Sequence, residues 1–302
     1  MGVIVVAGSL FAVIGGSGHS PDATVRPAPI TAPSVTATLL PTSGSASAAD
    51  LQADAAVLTR RLAAAGIHGQ VQIGTASITL RLPKSAADTV GLLTSTGQLS
   101  FRVPAAEEQA PSSPTTSAGG CLSAAGPAGG NPPPCITARL SASCPKAGTA
   151  EGQQVAGASA TDWIVACDTT GTIEYALGPQ RLGGEAIATA AATIQTGVNG
   201  TSTGQWIVNV SFTRAGQSAW AALTDAISKG AGCPKGSSPA DAPPVTCQLA
   251  IELDGVVQSA PVIQERIAGS AEITGSFNET SAKALAAALG SGPLPTPLTT
   301  RH

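Results

Sequence analysis

The sequence predicts an α+β fold with a ferredoxin-like unit, called the base below, and a second α+β subdomain, called the head. Between residues 35 and 103, apolar residues recur in the order strand, helix, strand, strand, helix, strand, which is the order of a ferredoxin-like unit. After residue 104 a low-complexity stretch interrupts this pattern, and regular alternation returns only near Glu174. A second subdomain is therefore expected in the later part of the chain.

The base subdomain is expected at residues 45–104. Its clearest element is a helix over 50–65, which Gly66 ends. The apolar residues of this helix recur at helical spacing: Leu51, Ala55, Leu58 and Leu62. Strands are predicted at 35–40, 71–75, 77–82 and 98–103, and a weaker helix at 85–93.

The later part of the chain divides into three segments. Residues 105–169 form a low-complexity region that contains cysteines, 170–275 form the head, and 276–298 contain a last helix. Within the head, QWIVNVSF at 205–212 alternates as a strand, a helix follows at 214–227, and strands are predicted at 248–253 and 256–260. Asp254-Gly255 between the last two strands predicts a tight hairpin, because both positions of a type I′ turn take φ above zero.

Six cysteines are expected to form three disulfides. Their number is even, two of the spans between neighbours are rich in Gly and Pro, and an exported chain favours disulfides. Many pairings are open, and pairing between neighbours is the one we choose. It gives Cys121–Cys135, Cys144–Cys167 and Cys233–Cys247. Metal binding is disfavoured, because C-x-x-C is absent and the three histidines are scattered.

Residues 1–16 are expected to be a signal peptide or an N-terminal membrane anchor. The apolar run from Val3 to Ile14 is short for a membrane span, which needs about 20 residues. Cleavage and retention both stay open, and a buried terminal helix is a third alternative. Because no Lys or Arg precedes the run, we expect the natural start to lie upstream. Residues 17–44, rich in Pro, Ser and Thr, are expected to form a tether.

Composition and motifs favour a binding protein over an enzyme. The net charge of −3 gives no electrostatic reason to expect nucleic acid as a partner. The G-x-S-x-G motif is absent, and His68 lies in a predicted solvent-facing turn. Glu252 and Glu265 are interpreted as a solvated strand face and a loop charge. We therefore expect no catalytic activity, no cofactor and no metal.

The hairpin around Asp254 is the candidate binding edge. Asp254 itself is interpreted as a turn residue, while small residues and a proline at the end of the returning strand leave room for another backbone. An extended polypeptide could add there as a strand. The candidate residues are Leu253, Asp254, Gly255, Ser259, Ala260 and Pro261. The alternative is a tight packing corner without a binding role.

Several motifs occur together in the second half of the chain. Residues 249–298 contain L-D-G at 253–255, V-x-S-A-P at 257–261, I-x-G-x-F at 273–277 and S-G-x-L-P-x-P at 291–297. Two further segments are GQWIVNVSFTRAGQSAWAALTDA and TRRLAAAGIHGQVQIGTASITLRLP, the second followed by STGQLSFRV. In this combination they resemble the first periplasmic domain of SecD, an accessory subunit of bacterial Sec protein export.

The resemblance covers about residues 45–104 and 170–298, and the cysteine-bearing loops depart from it. It implies that the last helix, within 276–298, returns to the base, with the head inserted between. It also implies a non-catalytic role at the extracytoplasmic face of the membrane or in secreted form. The implied partners are unfolded exported polypeptide, the Sec translocase or an envelope protein, and the membrane if residues 1–16 are retained.

Two expectations qualify this resemblance. Proton-driven work is not implied, because the proton pathway of SecD lies in membrane helices that have no counterpart in this sequence. The alternative function is an envelope adaptor, secreted or anchored, that kept the fold and has no role in Sec export. In either case we expect binding on the head, because loops on a rigid scaffold are where binding residues concentrate.

Overall fold

The structure is a computed structural model that describes residues 33–111, 119–127, 131–140, 142–145, 149–197, 199–233 and 248–301. The expected signal peptide or anchor at 1–16 and most of the expected tether lie outside these ranges. Within them, no helix has both the length and the apolar character needed to cross a membrane.

The described strands are β1 (Ser34–Pro41), β2 (Gln70–Ile73), β3 (Ile78–Pro83), β4 (Leu99–Arg102), β5 (Pro104–Gln109), β6 (Ser123–Ala125), β7 (Asp162–Asp168), β8 (Ile173–Leu177), β9 (Leu182–Gly183), β10 (Ile187–Thr196), β11 (Ser202–Phe212), β12 (Ala250–Leu253), β13 (Val256–Ser259), β14 (Ala271–Ile273) and β15 (Leu298–Arg301). The described helices are α1 (Ala48–Ala65), α2 (Val90–Thr94), α3 (Pro134–Arg139), α4 (Ala150–Ala156), α5 (Arg214–Ser228) and α6 (Glu279–Gly290). Short 3₁₀ helices lie at Lys84–Thr89 and Gly184–Ala186.

The expected α+β fold is confirmed, since helices pack against three separate sheets. In the base, α1 begins with a capping box between Ser47 and Asp50 and ends at Gly66, whose φ is 68°. Its apolar side packs on a four-stranded antiparallel sheet in the order β15-β1-β3-β2. Leu58 of α1, Leu39 of β1 and Leu80 of β3 are buried in this core.

The base is completed by elements far apart in sequence, which corrects two expectations. β4, expected as the last strand of the base, pairs instead with β12 and β9 in the head. The sheet position expected for it is taken by β15, which α6 precedes. The expected tether at 17–44 is also wrong at its end, because β1 covers 34–41 and pairs on both sides. These partners lie too far apart in sequence for local periodicity to show them.

The head contains the other two sheets. One is eight-stranded, in the order β5-β8-β7-β13-β12-β4-β9 with β6 added beside β7, and the other is three-stranded, in the order β10-β11-β14. Their common core includes β4, β11, α5 and α6. Phe101, Phe212 and Trp220 form its aromatic centre, with the Trp220 ring centroid 5.3 Å from Phe101 and 5.0 Å from Phe212. Because α6 contributes to this core and also to the base core, it holds base and head together.

Candidate functional site

The turn between β12 and β13 has the predicted geometry. Asp254 has a φ of 52° and Gly255 a φ of 84°, so both central residues lie in the left-handed region that an Asp-Gly turn supplies. A side chain at Gly255 would also be crowded, because its Cβ would lie 3.1 Å from Val155 Cγ1 and 3.2 Å from the nitrogen of Ala156. The turn therefore packs closely against α4.

Asp254 has a second role that the sequence did not reveal. Its carboxylate accepts hydrogen bonds from the backbone N–H groups of Gly97, at 3.0 Å, and Gln98, at 2.9 Å, and from the hydroxyl of Thr96. The Asp254 N–H in turn donates to the Gln98 carbonyl at 3.1 Å. These bonds fasten the hairpin to the segment that leads from the base into β4.

The hairpin offers less free edge than expected. β13 pairs with β12 on one side and, in parallel, with β7 on the other, through Val256–Cys167 and Val257–Asp168. Strand addition at Val256 and Val257 is therefore blocked by a strand about 90 residues earlier in the chain, a pairing that local sequence patterns cannot show. Ser259, Ala260 and Pro261 lie beyond the last of these pairs and are half-buried, next to Val262, which is 39% exposed. These residues keep the candidate role as a proposal.

A buried polar cluster supports the hairpin from beneath. Glu252 is 5% exposed, which corrects the expectation of a solvated strand face. Its carboxylate accepts hydrogen bonds from the Ser100 hydroxyl and the Gly255 N–H and lies 3.6 Å from Nε of Arg102. Arg102 also donates to the carbonyls of Asp162, at 2.7 Å, and Gly178, at 3.0 Å.

Burial raises the pKa of the Glu252 carboxyl, although its hydrogen bonds and Arg102 oppose the shift. The cluster joins β12 to β4 and, through Arg102, to Asp162 at the start of β7 and to Gly178 just after β8. Glu265 is exposed in a loop, as expected, so the two glutamates do not form an acid–base pair facing one solvent cleft. The arrangement of Glu252, Ser100 and Arg102 is that of a structural cross-link.

A third polar cluster lies between base and head. Arg61 of α1 is fully buried and donates to the carbonyls of Leu93, at 2.9 Å, and Gly292, at 2.9 Å. It also bonds the Ser95 carbonyl and, at 2.9 Å, the Ser291 hydroxyl. Burial lowers the pKa of Arg61 to about 10, against the opposing field of Asp254. Arg61 therefore holds both segments that connect base and head.

The structure contains two of the three disulfides named from the sequence. Cys121 pairs with Cys135, with Cα atoms 5.2 Å apart, and Cys144 pairs with Cys167, with Cα atoms 5.8 Å apart. Cys233 is disulfide-bonded as well, and its expected partner, Cys247, lies outside the described residues. The Cys121–Cys135 bond packs against a small core that includes Ile136, Leu140 and Trp163.

Among the described residues, one group has side chains close enough together to hold a metal ion, but a disulfide occupies two of its three possible ligands. Cys144, Cys167 and Glu174 have ligand atoms within 4.8 Å of one another. Both sulfurs are joined in the disulfide, so neither is available as a thiolate. Glu174 is fully buried, with Oε1 3.6 Å from Nη1 of Arg139. This group is therefore a structural ion pair beside a disulfide.

Disulfides such as Cys121–Cys135 and Cys144–Cys167 persist in oxidising compartments outside the cytoplasm. Residues 164–296 match the model of the SecDF P1 head subdomain, so this part of the chain is a SecD-like head. The resemblance stated from sequence is thereby confirmed: the chain carries a SecD-like extracytoplasmic domain. The match includes the hairpin β12–β13, the three-stranded sheet and α6.

Similar proteins agree with this assignment. The chain is 62% identical over 52 residues to protein translocase subunit SecD of Syntrophobacter fumaroxidans, which covers 17% of this chain and 10% of that protein. It is 60% identical over 52 residues to the same subunit of Magnetococcus marinus, again over 17% of this chain and 10% of that protein. The matched stretch thus spans about a tenth of these relatives' length.

A solved structure, SecDF in its super-membrane-facing form, has a similar fold. Its TM-score is 0.50 at 24% identity, and the alignment covers 88% of this chain and 29% of that chain. This likeness concerns the fold alone. The SecD-like head implies an extracytoplasmic location.

Proposed function

We propose that this chain is a non-catalytic, SecD-like accessory protein that binds an exported polypeptide, the Sec translocase or an envelope protein outside the cytoplasm. The observation that supports this most directly is the match of residues 164–296 to the SecDF P1 head. The two disulfides within 121–167 fit the same compartment. Residues 1–16 would supply membrane attachment if they are retained.

The binding surface proposed here is the end of the β12–β13 hairpin. Ser259, Ala260 and Pro261 are small or rigid, half-buried and beyond the pairing with β7. Val262, 39% exposed, adds an apolar contact beside them. The base offers less, since its sheet is covered by α1 and by α6 on the face that forms its core. An apolar segment of a bound polypeptide could contact this hairpin end without displacing a core residue.

In-cell photo-crosslinking tests this proposal. A photoreactive residue in place of Val262 should capture secreted precursors or translocase subunits, whereas one in place of Ile73 on β2 of the base should not. Ile73 is a matched control, because it is also aliphatic and exposed, at 49%. Equal capture from both positions, or capture from Ile73 alone, would exclude the hairpin end.

The second candidate is an envelope adaptor without a role in export. It is favoured by the disulfide-bonded region before residue 164, which lies outside the match to the SecDF head. Identification of the crosslinked proteins separates the two: precursors and Sec subunits support export, and a single envelope protein supports the adaptor. Substituting Ser259 or Ala260 with Trp should lower the capture while circular dichroism remains unchanged.

A further inference from the structure

We propose that Asn199 is a site of spontaneous covalent modification, at which the backbone nitrogen of Gly200 attacks the side-chain amide and a carboxylate replaces it. Asparagine is one of the chemically labile side chains of proteins. The reaction needs a following residue whose nitrogen can reach the amide carbon, and glycine allows the closest approach because it has no Cβ. Asn199-Gly200 is the one Asn-Gly pair in the sequence.

The turn that joins β10 to β11 leaves both residues accessible. Asn199 and Gly200 are exposed, and nothing lies within 4 Å of the position that a Cβ would take at Gly200. The Asn199 side chain makes no hydrogen bond to a described residue. One bond opposes the reaction, because the Gly200 N–H donates to the Gly197 carbonyl at 2.9 Å. Donor and acceptor belong to the same exposed turn, so this bond can open without disturbing a packed element.

The other three asparagines each lack one of these requirements, and glycine follows none of them. Asn131 precedes a proline, whose nitrogen has no hydrogen to lose. Asn209 lies inside β11, which pairs with β10 on one side and with β14 on the other. Asn278 caps α6, and its Oδ1 accepts a hydrogen bond from the Ser281 N–H at 2.8 Å. These positions serve as internal controls.

The Asp254-Gly255 turn shows what prevents the related reaction of aspartate. An Asp-Gly pair can close the same ring, with loss of water in place of ammonia. Here the carboxylate accepts hydrogen bonds from the N–H groups of Gly97 and Gln98, and the Gly255 N–H donates to the carboxylate of Glu252. Both reacting groups are therefore held by residues outside the turn, and this pair should stay unmodified in the folded protein.

The reaction at Asn199 consumes only water. The Gly200 nitrogen loses its proton and bonds to the side-chain carbonyl carbon of Asn199, while the bond from that carbon to the amide nitrogen breaks. The amide nitrogen leaves with the proton as ammonia, and a cyclic imide remains. Water then opens this ring. Breaking the new bond gives aspartate, and breaking the original peptide bond gives isoaspartate, in which the backbone runs through the former side chain.

The product changes the charge of the hairpin formed by β10 and β11. Residues 187–212 contain no ionisable side chain, so the new carboxylate, ionised at neutral pH, is the first charge on this hairpin. Isoaspartate also lengthens the backbone by a methylene group, inside a turn that the Gly197 N–H closes on the Thr201 carbonyl at 2.8 Å. Because each molecule converts once and loses its ammonia, the charge accumulates with the age of the protein.

Ageing of the full chain tests the proposal. Native protein kept at mildly alkaline pH should develop a more acidic form in ion exchange, faster as hydroxide concentration rises, because the attacking nitrogen must lose its proton. Peptide mapping by mass spectrometry should find aspartate and isoaspartate at position 199, formed at least about tenfold faster than at Asn209 or Asn278. Asn199→Gln should abolish the acidic form, since the longer side chain closes a less favourable ring. Asn131→Gln, at an exposed position, is the matched control and should leave it unchanged.

The same mapping in urea separates the chemistry from the fold. Unfolding should speed conversion at Asn199 by less than about tenfold, because an exposed turn opens at little cost in free energy. Isoaspartate at Asp254 should form only in urea. Native protein in which Asn199 stays an amide while the unfolded chain converts would overturn the proposal. Equal conversion at Asn199 and Asn209 in the native protein would overturn it as well.

Discussion

At the scale of single residues, a few polar side chains are buried in the interior of the protein. Arg61, Arg102 and Asp54 are each at most 3% exposed. Arg61 and Arg102 are matched by several acceptors, whereas Asp54 has one described hydrogen bond and one carboxylate oxygen, Oδ2, without any. Buried polar groups stabilise only when they are paired, so these three residues should respond differently to substitution.

Arg61→Met should strongly destabilise the protein. The substitution leaves the buried carbonyls of Leu93 and Gly292 without their donor, and removing one side of a buried polar cluster costs about 3–5 kcal/mol. Urea unfolding of the variant measures this loss. The neighbouring Arg60 is exposed, and Arg60→Met should change stability by less than about 0.5 kcal/mol. Equal effects at the two positions would contradict the connecting role of Arg61.

Asp54→Asn should change how stability depends on pH. Burial raises the pKa of the Asp54 carboxyl in the folded protein, although the Thr296 N–H at 3.0 Å opposes the shift. A raised folded pKa means that this group favours the folded state below its unfolded pKa, and that this contribution is lost as pH rises through the folded pKa. The asparagine variant lacks this loss.

The stability of the Asp54→Asn variant relative to the wild type should therefore be greater at pH 7 than at pH 3.5. The expected difference is about 1.4 kcal/mol for each unit by which the pKa of Asp54 differs between the folded and unfolded states. Urea unfolding at the two pH values measures it. Asp88→Asn, at an exposed position, is the control and should show no such difference. A pH-independent effect of Asp54→Asn would show that the carboxyl titrates as it does in the unfolded chain.

At the scale of elements, turns and helix ends were predicted correctly from neighbouring residues, whereas the pairing of strands that are distant in sequence was not. The Asp254-Gly255 turn and the start and end of α1 depend on neighbouring residues, and the structure has them where the sequence indicated. The positions of β4, β13 and β15 depend on strands that are up to hundreds of residues away. Glu252 was misjudged for the same reason, since its partners Ser100 and Arg102 lie on β4. A charged residue within an apolar strand, as in AIEL, was the signal that could have suggested burial.

Gly255→Ala should cost more than Gly44→Ala. Both glycines have positive φ, 84° and 81°, so both substitutions carry the strain of a left-handed residue, about 1–2 kcal/mol. Only at Gly255 would the new Cβ meet neighbours, 3.1 Å from Val155 Cγ1, because nothing lies within 4 Å at Gly44. The difference between the two free energies of unfolding isolates the packing of the hairpin against α4. Equal losses of unfolding free energy in the two variants would mean that α4 moves away from the new methyl group without cost.

At the scale of the whole molecule, the disulfides and the base are separate sources of stability. The buried core of the base includes residues of β1, β3 and α1 and no cysteine, while the two described disulfides lie within 121–167. Each should contribute about 3 kcal/mol by restricting the unfolded chain. The region of residues 121–167, called the inserted region here, and the base are therefore expected to lose protection from amide exchange at different stages of unfolding.

Reduction should loosen the inserted region before the base. With dithiothreitol, amide exchange measured by mass spectrometry should accelerate in β6, α3 and β7, while α1 and β3 keep their protection. Without reductant, thiol titration of the denatured full chain should find no reactive cysteine. Two or more reactive thiols would contradict the disulfide assignment, and simultaneous exchange of base and insertion would contradict their separation.

The pairing of β1 with β15 sets how the base would respond to mechanical force. The strands are antiparallel, with Thr38 opposite Arg301 and Pro41 opposite Leu298, so the chain enters β1 and leaves β15 at the same side of the sheet. A pull that separates these two ends would load the hydrogen bonds between the strands one after another, beginning at Arg301, and not all at once. The base should therefore open at low force by peeling of β15.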